Sequence, residues 1–596
     1  MSQTSAIRLR ALLPALLCSA LVVVCTLAAW PFAETGLDDD YSYIFSARSL
    51  AQTGHVHYVG WASAMVGWQL ALGAAFIRIF GFSFSVARVP VLLIAAATAA
   101  VLHRLLVRCG VSTRNAVLVT LTVLLSPMAL PLGFSFMTDT SGLFCTVAAA
   151  YCCVRALQAA QPRGSTLWLI AAMLGSAVGG TARQTVWLCL LVMVPCTVWL
   201  LRRRKLPMVA LALVWLLSGA FAYGSMRWFY RQPYSVREMA LQGYIDRDLL
   251  WQTALNIARA ALQCCLLMLP FLIAFVPRFP LRHRKARMYA AITSAAVLLF
   301  LIVAIHRGPL RNSLLPFDLS GNFFSSLGVV DLPEVGVRPP GVPVWAELTV
   351  TLLTVAAALA CATVLLVPEQ EMKFHPSIAN AANEEFDGNR ITIGTRQLLW
   401  LFGPFTLAYL ALVLHRALFA FAYDRYFLPL LPLWLLLGTR LYQQRIAPEL
   451  PRLSWITLAV LACWGIASLH DTYADRRATV AAAQRLIDAS VPRTAFYAGF
   501  EYDGWTQIEQ MGWMNVIYMR RPDGFHPERP IPRHMTVKPC RQQFAHLDPA
   551  IQPRYGISFD QAACDGPSEF KPEVYHTWLP PFTRSLYIRK VTTPAF

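Results

Sequence analysis

Asp38, Asp39 and Asp40 stand side by side in the stretch GLDDDYSYIFSARSLAQTGHVHYVGW, just past the first apolar span of the chain. Carboxylates can take protons, so such a cluster is a natural source of a general base. More polar residues gather at the ends of later apolar segments. They are Asp139 in FSFMTDTSGLF, Arg183 and Gln184 in GGTARQTVW, then His306, Arg307 and Arg311, and finally Asp424 and Arg425 in AFAYDRYFLPLLPLW. Guanidiniums hold phosphate with paired hydrogen bonds. A hydroxyl acceptor activated by Asp, with a phosphate leaving group held by Arg, fits this inventory. Against it stands the plainer reading, in which the acids lie in a solvated loop and each arginine snorkels to headgroups. Several arginines sharing one face with two separate carboxylate sites favour chemistry.

The elements that position these residues are membrane spans. Hydrophobic residues make up 57% of 596, charged ones 14%, and the mean hydropathy is +0.50. A soluble domain is nearer ~25% charged. The formal charge of +19 does not imply nucleic acid as a partner. Much of the excess lies in short loops between apolar spans, where Lys and Arg set orientation and meet anionic lipid. The first apolar stretch, from Ala11 to Trp30, follows Arg8 and Arg10 and is long enough for a bilayer of ~30 Å. It is long for a signal peptide, and the residues before Glu34 make a poor cleavage site, so it is expected to be retained.

With the bilayer length as a ruler, the chain divides into about 13 spans. After the loop 31–84 come 85–102, 115–131, 140–157, 166–182, 185–201, 206–225, 260–277, 288–305, 345–367, 397–414, 425–440 and 454–470. Segment 66–80 is apolar but short, and is expected to lie in the interface. The basic loops 103–114, 155–163, 202–205, 278–287, 373–396 and 440–452 then share one side. The other side receives 31–84, 132–139, 226–259, 306–344, 415–424 and the tail from 471. This predicts a polytopic α-helical membrane domain, 1–470, with the amino end in the cytoplasm.

The tail, 471–596, is expected to form a small extracytoplasmic α/β domain. Ala474–Ser490 has helical periodicity, and 494–500, 516–519, 556–559 and 586–591 look like strands. The segment GFEYDGW, Gly499–Trp505, sets acids beside aromatics able to stack on sugar; a turn after a strand explains it more simply. Of the 14 cysteines, only Cys540 and Cys564 lie in the tail, where an oxidising compartment invites a bridge. The rest lie in or beside apolar spans and behave as small hydrophobes.

Asp39-Asp40-Tyr41-Ser42-Tyr43, then Ala47-Arg48-Ser49-Leu50 and Gly54, resembles the first external loop of GT-C glycosyltransferases. The likeness is strongest to the branch that contains protein O-mannosyltransferases and the lipid A aminoarabinose transferase. There the loop reads Asp-Glu-x-x-Tyr followed by an Ala-Arg helix and a Gly. Asp39 matches the catalytic acid, and Asp40 stands where Glu is usual. Asp139 resembles the second acidic motif, and Arg425-Tyr426 with the following Leu-Pro run resembles the late motif whose arginine lies near the lipid phosphate. The span count and an external carboxyl-terminal domain are also similar, so the resemblance covers the whole transmembrane part.

The resemblance implies inverting transfer of a sugar from a polyprenyl-phosphate carrier to an extracytoplasmic hydroxyl on a glycan, lipid or protein. It implies a place in the bacterial inner membrane, among membrane lipid, with the active site on the periplasmic face. Asp39 is then the general base, with Asp139 and Asp40 orienting substrate. Arg425 and Arg183 hold the donor phosphate, while Tyr43, Gln184 and Arg307 are candidate substrate contacts. Aminoarabinose-type members carry Glu-Lys-Pro-Pro after the first loop, with its Glu linked to a metal. Here Ser63-Ala64-Met65-Val66-Gly67 offers no carboxylate, and His55 and His57 read as structural, so neither metal nor other cofactor is expected. The rival is a multispanning transporter or lipid flippase without chemistry, which would place charges at mid-membrane and show repeated halves. No such repeat is evident.

The loop charges make the topology testable. A reporter fused after His470 should be active outside the cytoplasm, and one inserted within Pro368–Arg390 active inside. A cytoplasmic signal from the tail fusion would dissolve the shared face on which the candidate site depends.

Overall fold

The computed structural model describes residues 3–61, 63–237, 247–278, 288, 291–292, 295, 323–325, 328–330, 335–336, 338, 342–366, 393–419, 423–516, 519–522, 544–561, 564, 566 and 568–591. Seven helices among them are long and apolar enough to cross a membrane, or up to eight if a bent pair counts as one span. Phe84–Arg108, Thr138–Gln158, Pro162–Ala182, Met208–Phe229, Val344–Leu366 and Thr395–Phe419 match expected spans closely. The bent pair, Leu249–Leu267 and Leu269–Pro277, covers the expected span 260–277, with a 67° break. The expected span 288–305 falls almost wholly outside the described residues. The chain is thus a polytopic α-helical membrane protein with a small carboxyl-terminal sheet.

Three expected spans are present but broken, each beside proline. In 115–131 the helix Thr113–Leu124 stops, and a short helix, Ala129–Gly133, follows. Pro127 lies in the gap, and the Ser126 hydroxyl accepts the amide of Ala129 to start the second piece. In 185–201 a 3-10 turn, Gln184–Val186, leads into a π-helical stretch, Cys189–Met193, before the helix Val194–Leu200. Pro195 cannot donate to a carbonyl one turn back, and a π-bulge makes room for its ring. In 425–440 the turn Asp424–Phe427 precedes the helix Leu431–Arg445, with Pro429 and Pro432 at the junction. The segment 66–80 forms the helix Gly67–Phe80 of 14 residues. That is about 21 Å at 1.5 Å per residue, short of a hydrocarbon thickness of ~30 Å.

The boundary expected at 470/471 falls inside a helix. Arg452–Asp488 runs unbroken for 37 residues. The span 454–470 and the tail helix 474–490 are one rod, because no proline lies between them. Its far end packs on a four-stranded sheet of order β1-β2-β4-β3. The strands are β1 Phe496–Tyr497, β2 Tyr555–Ser558, β3 Glu573–His576 and β4 Thr583–Lys590. β1 pairs parallel with β2, and the other two pairings are antiparallel. Ile557, Leu586 and Ile588 from the sheet meet Ala478, Ala482 and Leu486 from the rod. Strand β3 was not expected: EVYH is short and polar, with Val574 facing out at a sheet edge. Among the described residues of the expected strand 516–519, Met519 forms an isolated bridge with Val236. Cys564 is disulfide-bonded, and Cys540 lies outside the described residues.

The tail is clamped to the first loop. The segment GFEYDGW opens a helix, Phe500–Met511, that lies against the first-loop helix, Asp40–Thr53. Gly504 permits this: a Cβ there would sit 2.7 Å from the Tyr41 ring. The Phe500 ring meets Tyr41 edge-on at 5.5 Å and tilts on Trp61 at 5.2 Å. This segment is therefore part of an internal seam rather than an open sugar platform.

Candidate active site

The first loop turns sharply into its helix, and the three aspartates diverge. Asp38 takes a left-handed backbone, φ 56°. A non-glycine residue there costs about 1 kcal/mol or more, so its surroundings must hold it. Three groups do. The Asp38 amide donates to Oε1 of Glu501 at 3.3 Å. The Leu37 amide donates to Asp40 at 2.7 Å. The Asp38 carboxylate is ion-paired with Arg425. Glu501 is itself buried beside Arg476, at 3.1 Å. Burial pushes the Glu501 carboxyl above its ordinary range, and the Arg476 charge partly restrains that rise.

Asp40 points away from the other two. Its Oδ2 accepts Nε of Arg88 at 2.8 Å and the Phe136 amide at 3.1 Å. Its Oδ1 accepts Nη2 of Arg88 at 3.2 Å besides the Leu37 amide. Arg88 and Asp40 are completely buried. With both oxygens doubly engaged, Asp40 ties the first loop to the helix Phe84–Arg108 and to the turn before Thr138. Arg88 also donates to the Thr35 carbonyl at 2.7 Å. Nothing in the sequence analysis singled out Arg88. The available signal was a lone arginine inside the otherwise apolar run SFSVARVPVLL.

Asp39 and Asp139 converge on Arg425. Arg425 lies 3.3 Å from Asp39 and 3.9 Å from Asp139. Asp139 lies in the first turn of Thr138–Gln158, where a carboxylate faces the positive end of the helix dipole. Arg183, the residue that ends Pro162–Ala182, reaches Asp139 at 2.8 Å and the Thr138 hydroxyl at 3.2 Å. It crosses above Gly142, where a Cβ would lie 2.5 Å from the arginine Cδ. Asp139 is charge-paired, yet neither of its oxygens has a hydrogen bond of good geometry, although both are buried. Asp39 is the acid that solvent reaches most, at 19% side-chain exposure against 2% for Asp139 and 3% for Asp38. Its other oxygen accepts the Trp61 indole at 2.5 Å.

Aromatic rings wall the cluster. Arg425 lies over Tyr423 at 4.9 Å and Phe323 at 5.4 Å, and Arg183 over Tyr426 at 5.6 Å. Tyr43 sits among the same charges; burial, then the Asp39 carboxylate, pushes its hydroxyl well above the ordinary range. Gln184 donates to the Ser63 carbonyl at 3.1 Å, fixing the segment that follows the first loop. Asp424 turns inward, accepting from the Arg425 and Phe323 amides and from Gln263. Arg307 lies outside the described residues. Among the described residues, no three His, Cys, Asp or Glu side chains form a group able to hold a metal ion.

Residues expected from four separate stretches of sequence therefore meet: Asp39 and Tyr43, Asp139, Arg183, and Arg425. Trp61 and Asp38 join them. The cluster can take a proton at Asp39 and hold an anion between two guanidiniums.

Residues 63–229 match the family model described as dolichyl-phosphate-mannose-protein mannosyltransferase. The resemblance to GT-C glycosyltransferases is borne out over that part of the chain, which contains Asp139 and Arg183 but neither the first-loop motif 39–54 nor Arg425. Solved structures similar to it include ArnT from Cupriavidus metallidurans in the apo state, 14% identical, TM-score 0.38, covering 81% of this chain and 82% of that one. The same enzyme bound to undecaprenyl phosphate is 13% identical, TM-score 0.36, covering 81% and 83%. The archaeal oligosaccharyltransferase AglB from Archaeoglobus fulgidus, in complex with an inhibitory peptide and a dolichol-phosphate, is 14% identical, TM-score 0.39, covering 90% and 63%. No curated protein sequence matches the chain.

The Asp40–Arg88 bolt carries a stability prediction. Arg88→Met leaves a buried carboxylate unpaired and should cost roughly 3–5 kcal/mol, read as a fall in thermal midpoint in detergent. The pair Asp40→Leu with Arg88→Met should recover much of that loss. A single Arg88→Met variant as stable as the parent would remove Asp40 from its structural role.

Proposed function

We propose that the chain is an integral-membrane glycosyltransferase that moves a sugar from a polyprenyl-phosphate carrier to an acceptor hydroxyl at the outer face of the cytoplasmic membrane of a bacterium. The observation that carries this reading is the convergence of Asp39, Asp139, Arg183 and Arg425 at one end of the helix bundle, with Asp39 the acid most open to solvent. The family match supports it, since the description names a polyprenyl-phosphate sugar as donor. A lipid-linked donor also suits a site at the ends of membrane helices.

In the reaction, the acceptor oxygen attacks the anomeric carbon from the side opposite the carrier. Asp39 takes the hydroxyl proton as the new carbon–oxygen bond forms. The bond from the anomeric carbon to the phosphate oxygen breaks, and its electron pair leaves on that oxygen. Arg425 and Arg183 hold the carrier phosphate as its charge grows, the kind of preorganised electrostatic contribution that is often largest in catalysis. Configuration inverts. Asp139 orients Arg183 and Arg425, and the accepting capacity its oxygens keep beside those ion pairs is available to sugar hydroxyls. Asp38 shares Arg425 and keeps it in place, and Asp40 positions the loop without touching substrate. Tyr43 offers a neutral hydroxyl to the substrate.

Two substitutions test the assignments. Asp39→Asn should leave the protein inserted and folded while transfer falls at least ~100-fold, the typical loss for a general base. Near-normal turnover would pass the role to Asp38. Arg425→Ala should weaken polyprenyl-phosphate binding and slow turnover more than Arg425→Lys, because lysine keeps the charge but loses the planar two-point grip. Affinity measured beside thermal midpoint decides this: a drop in midpoint with donor affinity intact would make Arg183 the better phosphate ligand.

A further inference from the structure

The long helix Arg452–Asp488 carries a ruler for membrane depth. Its lipid-facing stripe consists of Leu453, Ile456, Val460 and Cys463, all exposed. The same spacing of three and four residues continues through Ala467 to His470. From Arg452 to His470 the rise is about 27 Å at 1.5 Å per residue, close to one hydrocarbon thickness. His470 therefore marks the level at which the helix leaves the acyl region.

A hairpin tip from the tail is fastened at that level. The loop between β3 and β4 reads HTWLPPFT and holds no Asp, Glu, Lys or Arg. Both oxygens of Asp471 bind its backbone, accepting the Trp578 amide at 2.6 Å and the Leu579 amide at 3.0 Å. The Trp578 indole stacks on the His470 ring, 4.1 Å between centroids and 9° from parallel. Trp578 thus covers the last member of the lipid-facing stripe. Even so, Trp578 stays 50% exposed and Phe582 58% exposed, with Pro580 and Pro581 open beside them. An indole with one face on the protein and the other facing outward, at the end of a span, has the chemistry of an interfacial aromatic anchor.

We propose that the hairpin tip, Trp578 to Phe582, inserts into the headgroup–acyl boundary of the membrane that the long helix crosses. The occupant of this apolar patch is lipid. The tail is then held at a second point besides the helix, with Asp471 transmitting the position of the span to the hairpin. This does not depend on the transferase reading.

The test uses the unmodified full-length protein in phospholipid vesicles. It is labelled in parallel with a lipid-soluble and a water-soluble photoactivated diazirine and read by peptide mass spectrometry. The tip peptide should take the lipid-soluble probe about as heavily as Leu453–Cys463, and at least about fivefold above the exposed tail peptide around Glu569 and Lys571. Labelling of the tip by the water-soluble probe alone overturns the proposal. So does protection of the tip from both probes, which would mean that protein covers it.

Discussion

Arg425 is the point at which the structure closes. Its guanidinium stands among Asp38, Asp39 and Asp139, which come from the first loop and the start of a distant helix. Two unit charges 4 Å apart interact by about 4 kcal/mol at an effective dielectric near 20. Three carboxylates at such spacing would repel one another or take up protons without a cation between them. Arg183, paired to Asp139 from the other side, adds a second positive charge, so that two guanidiniums face three carboxylates. The cluster is a shared charge assembly, and no member keeps its position independently.

Around that assembly lies a set of buried ion pairs that make it rigid. Asp40 with Arg88 fixes the loop to a span, and Glu501, paired with Arg476, accepts the Asp38 amide and so holds the same loop to the tail. Asp475, one position before Arg476, is buried between Arg338 and Arg584 and ties the rod to strand β4. Buried pairs of this kind add little net stability when intact, but removing one partner is costly. Their effect is to specify one arrangement. The tail is therefore part of the wall of the candidate site: Phe500 and Trp61 back the oxygen of Asp39 that faces away from Arg425.

Much of this was legible in the sequence because it rests on hydropathy and on local charge. The spans follow from apolar length, and the candidate acids and arginines stand out because charge is rare in this chain. Other features were not legible. Asp39 and Asp40 are identical side chains one residue apart, and only the turn at Asp38 decides which one faces Arg425. Arg88 reads as a lone cation until its partner is known. Glu501 binds a residue more than four hundred positions earlier, a pairing that no periodicity encodes. The division at 470/471 was drawn where hydropathy falls, but helix propensity does not fall there, so the backbone continues. Strand β3 is too short and too polar to show the alternation that marks a half-buried strand.

The unbroken rod has a mechanical consequence. At 37 residues it is about 55 Å long, and it contains no joint between bilayer and tail. Helices answer a mismatch between their apolar length and the bilayer by tilting. Here a tilt is shared at once by Arg476, and through Glu501 it reaches the amide of Asp38. The thickness of the surrounding bilayer is thereby geared to the posture of the acidic loop, as a lever is geared to the latch at its far end.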